Sequence, residues 1–467
     1  MLKRLCGRRK AMNVTVQDMM EARERRAEKQ AVLLRSYAQT LLCFTMNIPG
    51  PEKDNRLFRR GFALGKRKLR QGFLRLDIKA VHEEENLAFT GCEAYYVLPL
   101  SPREAKALAA DIEEASPAGR LFDLDVFRPD GSKVERQEIG LSGRKCLICD
   151  GDARVCARSR AHTAEELRAK TDRILLEELC AEEAETVARA ASQSLLYEVL
   201  TTPKPGLEAC LNNGSHRDMD LFTFAASTAA LHPYFAHCAK IGIRSAKETP
   251  AAVFDRIRLA GRMAEGVMLE ATQGVNTHRG AVFSLGILCA AAGRLGTEDW
   301  HAEALLDLCA EMTEGLTERD FHGLTSETAR TFGEKLYLQY GITGVRGEAE
   351  QGYPLVRKYG YPRLREALSA GKSINDAGCA ALMAVMAHNT DTNVIHRSSP
   401  ERQKKLLAEA SELIREEPYP SAETLEALDQ KLIGENISPG GSADLLAVCY
   451  MLYELEKGGV SGLHRDS

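Results

Sequence analysis

The sequence predicts two domains, an α+β domain followed by an all-α domain. The chain has 467 residues, which is longer than a domain built around one hydrophobic core usually is. Strand-like and helical stretches alternate in its first third, and strand signals nearly vanish after Leu200. The stretch from Ala164 to Leu200 is continuously helical, so we place the domain boundary near residues 165–185, without a flexible Gly/Ser linker.

Composition and charge argue against several classes of protein. An apolar fraction of 44% suits globular folding, and a net charge of −4 argues against a nucleic-acid partner bound through its phosphates. No run approaches the roughly 18 apolar residues of a membrane span, and no apolar signal core follows the basic residues 3–10. We therefore expect a cytoplasmic protein without a membrane partner. The odd number of 13 cysteines indicates reduced thiols rather than a disulfide framework.

The first domain is predicted to combine helices and short strands. Residues 1–11 precede the first patterned segment, so we expect a disordered tail or a start codon upstream of the true one. In chain order the predicted elements are a helix over Val14–Tyr37, a strand over Leu41–Asn47, a rigid turn over Pro49–Asp54, a helix over Arg56–Leu69, strands over Leu74–Ala80 and Ala88–Leu98, and a helix over Pro102–Glu114 opened by Ser101. This order contains no glycine-rich phosphate loop of either common spacing.

Asp123 and Asp125 form the sharpest chemical feature of the first domain. Residues two apart on a strand project to one face, so the two carboxylates lie together while Phe122, Leu124 and Val126 face the apolar side. Paired carboxylates of this kind hold Mg²⁺ against a triphosphate in nucleotidyl transfer. The alternative is a pair of strand-edge aspartates without a metal.

A cysteine-rich segment follows this strand. It contains the residue types of a tetrahedral zinc site, namely Cys146, Cys149, Cys156 and His162. Their spacing is shorter than in ordinary zinc fingers, which favours packing or unreactive thiols over Zn²⁺. Arg154, Arg158 and Arg160 offer cationic donors for a polyphosphate, and a surface basic patch is the alternative.

The second domain is predicted to be a set of closely packed helices, rich in Ala and Gly, whose polar residues lie at the helix ends. The helices span Phe222–Leu231, Ala251–Leu269, Ala281–Ala292, Glu303–Met312, Ala377–Ala387 and Ser442–Leu455. Asn276 or Thr277 is placed to cap the third of them.

Four polar segments interrupt these helices. They contain Lys204, His216, Asp218 and Asp220, then Asn276, His278 and Arg279, then Arg346, Glu348 and Glu350, and finally Asp391 and Asn393. A helix start offers unpaired N–H groups that suit a phosphate, and carboxylates suit the Mg²⁺ of a nucleotide triphosphate. The first segment alone is equally well a helix cap with solvated charges. Four such segments on one helical scaffold favour a single polar pocket.

The ordered motifs of the two halves resemble two known families. Phe44–Asp54, Gly119–Val126 and Arg144–His162 resemble the holo-acyl-carrier-protein synthase of citrate lyase, over residues 12–175. Lys204–Gly206, Gly214–Asp220, Asn276–Gly280, Gly344–Glu350 and Asp391–Asn393 resemble triphosphoribosyl-dephospho-CoA synthase, in a domain that we place at residues 180–467. The chain therefore resembles a fused, bifunctional form that begins with a nucleotidyltransferase-type domain. The segment from Arg397 to Ser399 departs from the second pattern, where a glycine-richer turn is expected.

The second resemblance implies synthesis of 2'-(5''-triphosphoribosyl)-3'-dephospho-CoA from ATP and 3'-dephospho-CoA, with release of adenine. The dephospho-CoA 2'-hydroxyl attacks C1' of the ATP ribose through an oxocarbenium-like state. The resemblance implies that Asp218 or Asp220 binds Mg²⁺ or acts as the base, and that His216 and His278 transfer a proton or contact a phosphate. It implies that Arg279 and Arg346 bind phosphates, and that Glu348 and Glu350 stabilise the ribosyl cation or the metal. The residues implied to bind nucleotide are Lys204, Asn276, Asp391 and Asn393.

The first resemblance implies transfer of phosphoribosyl-dephospho-CoA to a serine of the citrate lyase acyl carrier protein, with release of pyrophosphate. Asp123 and Asp125 would hold Mg²⁺. Arg120, Arg158 and Arg160 would stabilise the departing charge. One alternative is the same chemistry on the malonate decarboxylase carrier, although the segment from Cys146 to Arg160 favours citrate lyase. Another is a non-catalytic interaction protein that senses ATP.

Overall fold

The computed structural model describes residues 13–149 and 151–464. It forms two compact units, which divide between Ala181 and Glu182 within one long helix. Helices and a small antiparallel sheet make up the first unit, and the described regular structure of the second unit is helical. The predicted α+β and all-α classes are confirmed at this level. No helix in the described ranges is both long and apolar enough to span a bilayer.

Four antiparallel strands form the sheet of the first unit, in the order β2-β3-β1-β4. The elements of this unit are α1 (Val16–Tyr37), β1 (Thr40–Met46), α2 (Arg56–Arg75), β2 (His82–Ala88), β3 (Gly91–Leu98), α3 (Pro102–Glu114), β4 (Phe122–Phe127), α4 (Ala153–Ser159) and the long helix α5 (Ala164–Leu200), with 3₁₀ turns at Pro117–Leu121 and Arg136–Ile139. Ser101 opens α3 with a capping box, as its sequence predicts.

The strand predicted over Leu74–Ala80 is wrong. Leu74 belongs to α2, which continues to Arg75, and residues 76–80 contain no strand. The strand that pairs with β3 is His82–Ala88 instead. It lies at the edge of the sheet, where charged side chains discourage pairing with another chain, and these charges hide the apolar alternation that identifies a strand. The strand predicted from Ala88 begins only at Gly91, because the intervening residues turn β2 into β3.

The sheet is covered on both faces. On one face Phe44 and Phe122 join the main core with apolar residues of α2 and α3. On the other face Cys43 and Tyr95 pack against Leu34 of α1. This three-layer arrangement fixes which side chains of β4 are buried and which remain available.

In the described part of the second unit, thirteen helices follow α5. They are α6 (Leu221–Arg244), α7 (Pro250–Ala271), α8 (Arg279–Leu295), α9 (Ala302–Thr313), α10 (Leu316–Phe321), α11 (Phe332–Tyr340), α12 (Gly344–Glu350), α13 (Tyr361–Ser369), α14 (Ile374–Met386), α15 (Thr392–Arg397), α16 (Pro400–Glu416), α17 (Ala422–Gly434) and α18 (Gly440–His464), with a 3₁₀ turn at Thr297–Asp299 and a π-helical turn at Val356–Gly360. All six predicted helices are confirmed.

Glycines let α6 and α8 pack with their backbones in contact. A Cβ on Gly242 of α6 would lie 2.0 Å from the carbonyl oxygen of Ala290 in α8. A Cβ on Gly293 of α8 would lie 2.2 Å from the carbonyl oxygen of Ala239 in α6. The predicted close packing of Ala- and Gly-rich helices is therefore confirmed, and it places the start of α8 firmly against α6.

We expect Gly242→Ala to lower the free energy of unfolding by about 1–3 kcal/mol or more, because its methyl group would force the two backbones apart. Gly266→Ala in α7 is the matched control, since nothing lies within 4 Å of the added Cβ. There the better helix propensity of Ala should raise stability by up to about 1 kcal/mol. Urea denaturation of both full-length variants measures the difference, and equal midpoints would contradict the close packing.

Candidate functional site

One large cavity in the second unit brings the four predicted polar segments together. Its volume is about 1300 Å³. The predicted residues that line it are Lys204, His216, Asp218, Asn276, His278, Arg279, Arg346, Glu348, Asp391 and Asn393. Asp220 and Glu350 belong to the same segments but do not line the cavity.

These two carboxylates instead cap helices. Asp220 is the N-cap of α6 and accepts hydrogen bonds from the backbone N–H and the hydroxyl of Thr223 at 2.8 and 2.7 Å. Glu350 accepts from the backbone N–H of Thr317 at 3.2 Å, in the first turn of α10, and also from its hydroxyl. Both contacts satisfy backbone donors that a helix leaves unpaired, which is a stabilising role.

The starts of four helices contribute to the cavity wall. Arg279 begins α8, Gly344 begins α12, Thr392 begins α15 and Gly440 begins α18, and all four residues line the cavity. Asn276 accepts a hydrogen bond from the N–H of Arg279 at 3.2 Å, which satisfies one donor at the start of α8. Aligned peptide dipoles make such helix starts electropositive and favourable for anions.

Asp391 is buried where two of these helix starts meet. It accepts hydrogen bonds from the N–H groups of Asn393 in α15 and Ser442 in α18, both at 2.9 Å. Burial raises the pKa of its carboxyl, and these backbone donors act in the opposite direction. Asp391 therefore holds α15 and α18 together at the cavity wall.

Asp444 occupies a comparable position at the start of α8. Its carboxylate accepts from the N–H of Ala281, and a Cβ on Gly280 would lie only 1.9 Å from its Oδ2, so a larger residue there would displace this carboxylate. Burial, with the nearby carboxylates of Glu198 and Asp391, raises the pKa of Asp444 well above its ordinary value.

Two further carboxyls have pKa values near neutrality. Burial raises the pKa of Glu348 to about 7, against a hydrogen bond from the N–H of Leu355. Burial likewise raises the pKa of Glu208 to about 7, although the charge of Lys204 opposes the shift. Neither oxygen of the buried Glu208 has a hydrogen-bond partner among the described residues. Such groups can exchange a proton at physiological pH.

His278 presents a neutral imidazole to the cavity. Its Nδ1 lies 2.7 Å from the hydroxyl oxygen of Ser227, which accepts a hydrogen bond from Thr277 at 2.8 Å. The other ring nitrogen of the neutral imidazole is Nε2. That nitrogen is buried without a partner in the described structure. Burial first, and the charge of Lys204 second, lower the pKa of His278 to about 3.

His216 has both ring nitrogens engaged. Arg397 donates to Nδ1 at 3.3 Å, and Nε2 lies 2.9 Å from the hydroxyl oxygen of Ser438. Burial and then the Arg397 charge lower the pKa of His216 to about 4. Arg397 also donates to the carbonyl of Ser215 at 3.0 Å. The segment after Asp391–Asn393 that departs from the expected glycine-rich turn thus clamps the His216 loop.

A shared carboxylate orients two arginines at the cavity. Asp320 accepts a bidentate pair of hydrogen bonds from Arg258 at 2.7 and 2.6 Å and one from Arg346 at 2.8 Å. Although burial opposes the effect, these bonds lower the pKa of Asp320. Arg279 forms a more exposed ion pair with Glu265 at 3.1 Å.

Lys204 is buried beside the cavity and donates to the carbonyl oxygen of Glu198 at 2.9 Å and to its carboxylate. The remaining predicted residues, Asp218 and Asn393, are exposed on the wall. The sequence prediction missed Glu198, Glu208, Arg258, Asp320 and Asp444 as members of the cavity. Most lie inside or next to ordinary helical patterns, where a charge that faces a cavity looks the same as one that faces solvent.

In the first unit, the alternation on β4 is as predicted. Phe122, Leu124 and Val126 are buried, whereas Asp123 and Asp125 lie on the other face. Lys133 forms an ion pair with Asp125 at 2.6 Å. Partial desolvation by the surrounding protein, and then the negative charge of Asp125, raise the pKa of the Asp123 carboxyl.

The free edge of β4 is satisfied by side chains of α3. Glu113 accepts a hydrogen bond from the N–H of Leu124 at 3.0 Å, and Lys106 donates to the carbonyl oxygen of Leu124 at 3.1 Å. Arg144 forms an ion pair with Glu113 and donates to the carbonyl oxygen of Phe122 at 2.8 Å. These contacts hold the strand that carries the two aspartates in place.

Arg120 donates to the carbonyl oxygens of Lys145 and Cys146 at 3.0 and 2.7 Å, which joins the 3₁₀ turn before β4 to the cysteine-rich segment. Arg158 lies in the last turn of α4, and Arg160 ends that helix in a left-handed conformation. Within the described residues, only the group Cys146, Cys149, Cys156 and His162 places three or more His, Cys, Asp or Glu ligand atoms close enough to hold one metal ion.

Comparison with known proteins gives a match for each unit. Residues 14–178 match the family CitX, apo-citrate lyase phosphoribosyl-dephospho-CoA transferase, and residues 184–462 match the family CitG, ATP:dephospho-CoA triphosphoribosyl transferase. Protein CitXG of Haemophilus influenzae is 36% identical over 93% of this chain and 95% of its own length. Protein CitXG of Leuconostoc mesenteroides is 31% identical over 95% of this chain and 97% of its own length.

A shorter relative matches the second unit. The 2-(5''-triphosphoribosyl)-3'-dephosphocoenzyme-A synthase of Pectobacterium atrosepticum is 40% identical over 57% of this chain and 88% of its own length. Taken with the two full-length relatives, the matches cover both units in one polypeptide. The chain therefore belongs to the CitXG family, in which a CitX region is followed by a CitG region.

Proposed function

We propose that this bifunctional transferase first builds and then attaches the prosthetic group of citrate lyase. The second unit makes 2'-(5''-triphosphoribosyl)-3'-dephospho-CoA from ATP and 3'-dephospho-CoA and releases adenine. The first, nucleotidyltransferase-type unit transfers phosphoribosyl-dephospho-CoA to a serine of the apo acyl carrier protein and releases pyrophosphate. Beside the family membership, the observation that carries this proposal is the convergence of four polar segments on one cavity.

The size of the cavity suits two nucleotides. Its volume of about 1300 Å³ exceeds the roughly 300–1000 Å³ typical of a pocket for one small ligand. A glycosyl transfer between ATP and dephospho-CoA requires both substrates at once, with the 2'-hydroxyl of one against C1' of the other.

The triphosphate of ATP would lie against the arginines and the electropositive helix starts. Asp320 holds Arg258 and Arg346 side by side, and two guanidinium groups in fixed orientation suit a polyphosphate. Mg²⁺ bound with the triphosphate supplies further neutralisation of charge. Asp218 is the exposed carboxylate on the wall that suits this ion, whereas Asp220 is engaged as a helix cap.

Glu348 is the group we assign to activation of the 2'-hydroxyl. In its ionised form it takes the hydroxyl proton as the O2'–C1' bond forms and the C1'–N9 bond of ATP breaks. The same negative charge stabilises the oxocarbenium-like ribose. The adenine leaves with the bonding electrons and takes a proton from water, which balances the proton taken up by Glu348. Nε2 of His278 is buried without a partner within the described structure, and it suits a hydrogen bond to the leaving adenine.

The role we assign to His216 is narrower than proton transfer. Both of its nitrogens already have partners, and its pKa of about 4 leaves it neutral at physiological pH. It therefore positions the Gly214–Asp220 loop through Arg397 and Ser438.

In the first unit, the carrier serine attacks the phosphorus nearest the transferred ribose, the bond to the leaving phosphate breaks, and pyrophosphate departs. Asp123 and Asp125 suit a Mg²⁺ shared with the triphosphate, because the ion would take its remaining ligands from phosphate and water. Arg158 and Arg160 lie in the cysteine-rich segment that Arg120 holds next to the start of β4. Their guanidinium groups suit the negative charge of the departing pyrophosphate.

The rate of adenine release should rise with pH up to about 7 and then level, because the ionised form of Glu348 is required and its pKa is about 7. Glu348→Gln should lower this rate by a factor of about 10² or more. Chromatography measures the adenine formed in reactions that contain ATP and dephospho-CoA, and reactions that contain ATP alone give the background. Glu350→Gln is the matched control and should keep near-normal release. Normal turnover in Glu348→Gln would remove this residue from the proposed chemistry.

Asp218→Asn should slow adenine release, with the largest loss at low Mg²⁺, because a carboxylate ligand is removed. Asp220→Asn should leave the rate unchanged, since Asn caps a helix about as well as Asp. Initial rates over a range of Mg²⁺ concentrations compare the two variants. The reverse pattern, with only Asp220→Asn impaired, would show that the cap residue and not Asp218 serves the site.

Asp123→Asn should lower the rate of carrier modification by a factor of about 10² or more and leave the rate of adenine release unchanged. Asp130→Asn is the matched control, because Asp130 lies in the exposed turn after β4 and bonds only to Ser132 among the described residues. The assay supplies purified triphosphoribosyl-dephospho-CoA and follows the carrier mass. A carrier modified at the normal rate by Asp123→Asn would exclude the proposed metal ligand.

A further inference from the structure

Three cysteines and a histidine of the first unit meet at one point. They are Cys146, Cys149, Cys156 and His162, and their ligand atoms all lie within 4.8 Å of one another. Sγ of Cys149 is 3.5 Å from Sγ of Cys156 and 3.3 Å from Nε2 of His162. In a tetrahedral site with zinc–sulfur bonds of about 2.3 Å, neighbouring sulfurs lie about 3.8 Å apart. The cluster therefore has the dimensions of one zinc ion with four ligands.

The local backbone explains how a short spacing reaches this geometry. Lys145 and Asp152 form an isolated antiparallel bridge, so the chain reverses between these two positions, and Cys146 and Cys149 lie within the reversal. The N–H of Ile148 donates to Sγ of Cys146 at 3.4 Å. Arg160 ends α4 in a left-handed conformation, with φ +49°, which turns the chain so that His162 returns to Cys149. Ordinary zinc-finger spacing is therefore unnecessary.

The segment has almost no apolar core of its own. Cys146 is the one buried residue described between positions 141 and 163. Helix α4 has seven residues and none of them is buried. A helix this short is unstable in water without tertiary support. A metal held by four side chains can supply that support, because its binding free energy becomes folding free energy.

We propose that Cys146, Cys149, Cys156 and His162 bind one structural Zn²⁺. Four protein ligands leave no open position for substrate, so the ion folds the segment and takes no part in chemistry. Thiolate and imidazole ligands in this set select zinc over Mg²⁺. Through the hydrogen bond from Arg120 to the carbonyl oxygen of Cys146, at 2.7 Å, the folded segment is fixed beside the strand of Asp123.

Elemental analysis of the full-length protein, purified without chelators, tests the proposal directly. We expect about one zinc per chain. Cys149→Ser and His162→Ala should lose at least about tenfold in zinc affinity, while His162→Cys should retain zinc because a thiolate replaces the imidazole. Cys210→Ser, an exposed cysteine outside the cluster, is the matched control and should retain full zinc. Replacement by Co²⁺ should give the visible absorption of tetrahedral thiolate coordination.

Limited proteolysis of the unmutated chain gives a readout that needs no variant. After removal of zinc, trypsin should cut after Arg154, Arg158 or Arg160 at least about tenfold faster, and added Zn²⁺ alone should restore protection. Freshly purified protein that contains no metal and has free thiols would overturn the proposal. So would a disulfide between Cys149 and Cys156, found by intact mass under non-reducing conditions.

Discussion

The buried carboxylate of Asp391 is the interaction on which the cavity of the second unit depends. It accepts backbone N–H groups from α15 and α18 at 2.9 Å each, so two helix starts are fixed to one side chain. Burying a carboxylate costs free energy unless its hydrogen bonds are made, and here the helices provide donors that they would otherwise leave unpaired. The close backbone contact of α6 and α8 fixes the start of α8, which also lines the cavity. The polar segments therefore face one space although they are distant in sequence.

The acidic residues around this cavity divide by their partners. Asp220, Glu350 and Asp391 satisfy helix starts, and Asp320 holds two arginines. Glu348 and Glu208 are the ones whose pKa values burial raises to about 7. The first four accept hydrogen bonds that serve structure or orientation, whereas Glu208 has no donor among the described residues and Glu348 has a backbone donor at 3.3 Å, so burial leaves both able to exchange protons near neutrality. The chemistry that we propose falls to the second kind.

Turn chemistry made the polar segments of the second unit predictable. Gly, Pro and Asn interrupt otherwise apolar helices, and the segments around His216 and His278 do line one cavity. The separate fates of Asp218 and Asp220 were not predictable, because only the helix start decides which of two nearby carboxylates becomes the cap. Asp320 and Asp444 were missed because nothing in a helical pattern distinguishes a charge facing a cavity from a solvated one. The charged edge strand β2 escaped prediction for the related reason that its side chains face water.

The two units pose different chemical problems. The second must exclude water around a reactive ribose, which suits a deep helical cavity. The first must admit a protein serine, and it places Asp123 and Asp125 on an accessible strand face. The most direct test of their combined action is mass spectrometry of the apo acyl carrier protein after incubation with ATP, dephospho-CoA and this chain. We expect a carrier heavier by one phosphoribosyl-dephospho-CoA group on serine, with adenine and pyrophosphate released in equal amounts. An unmodified carrier, with no adenine formed, would contradict it.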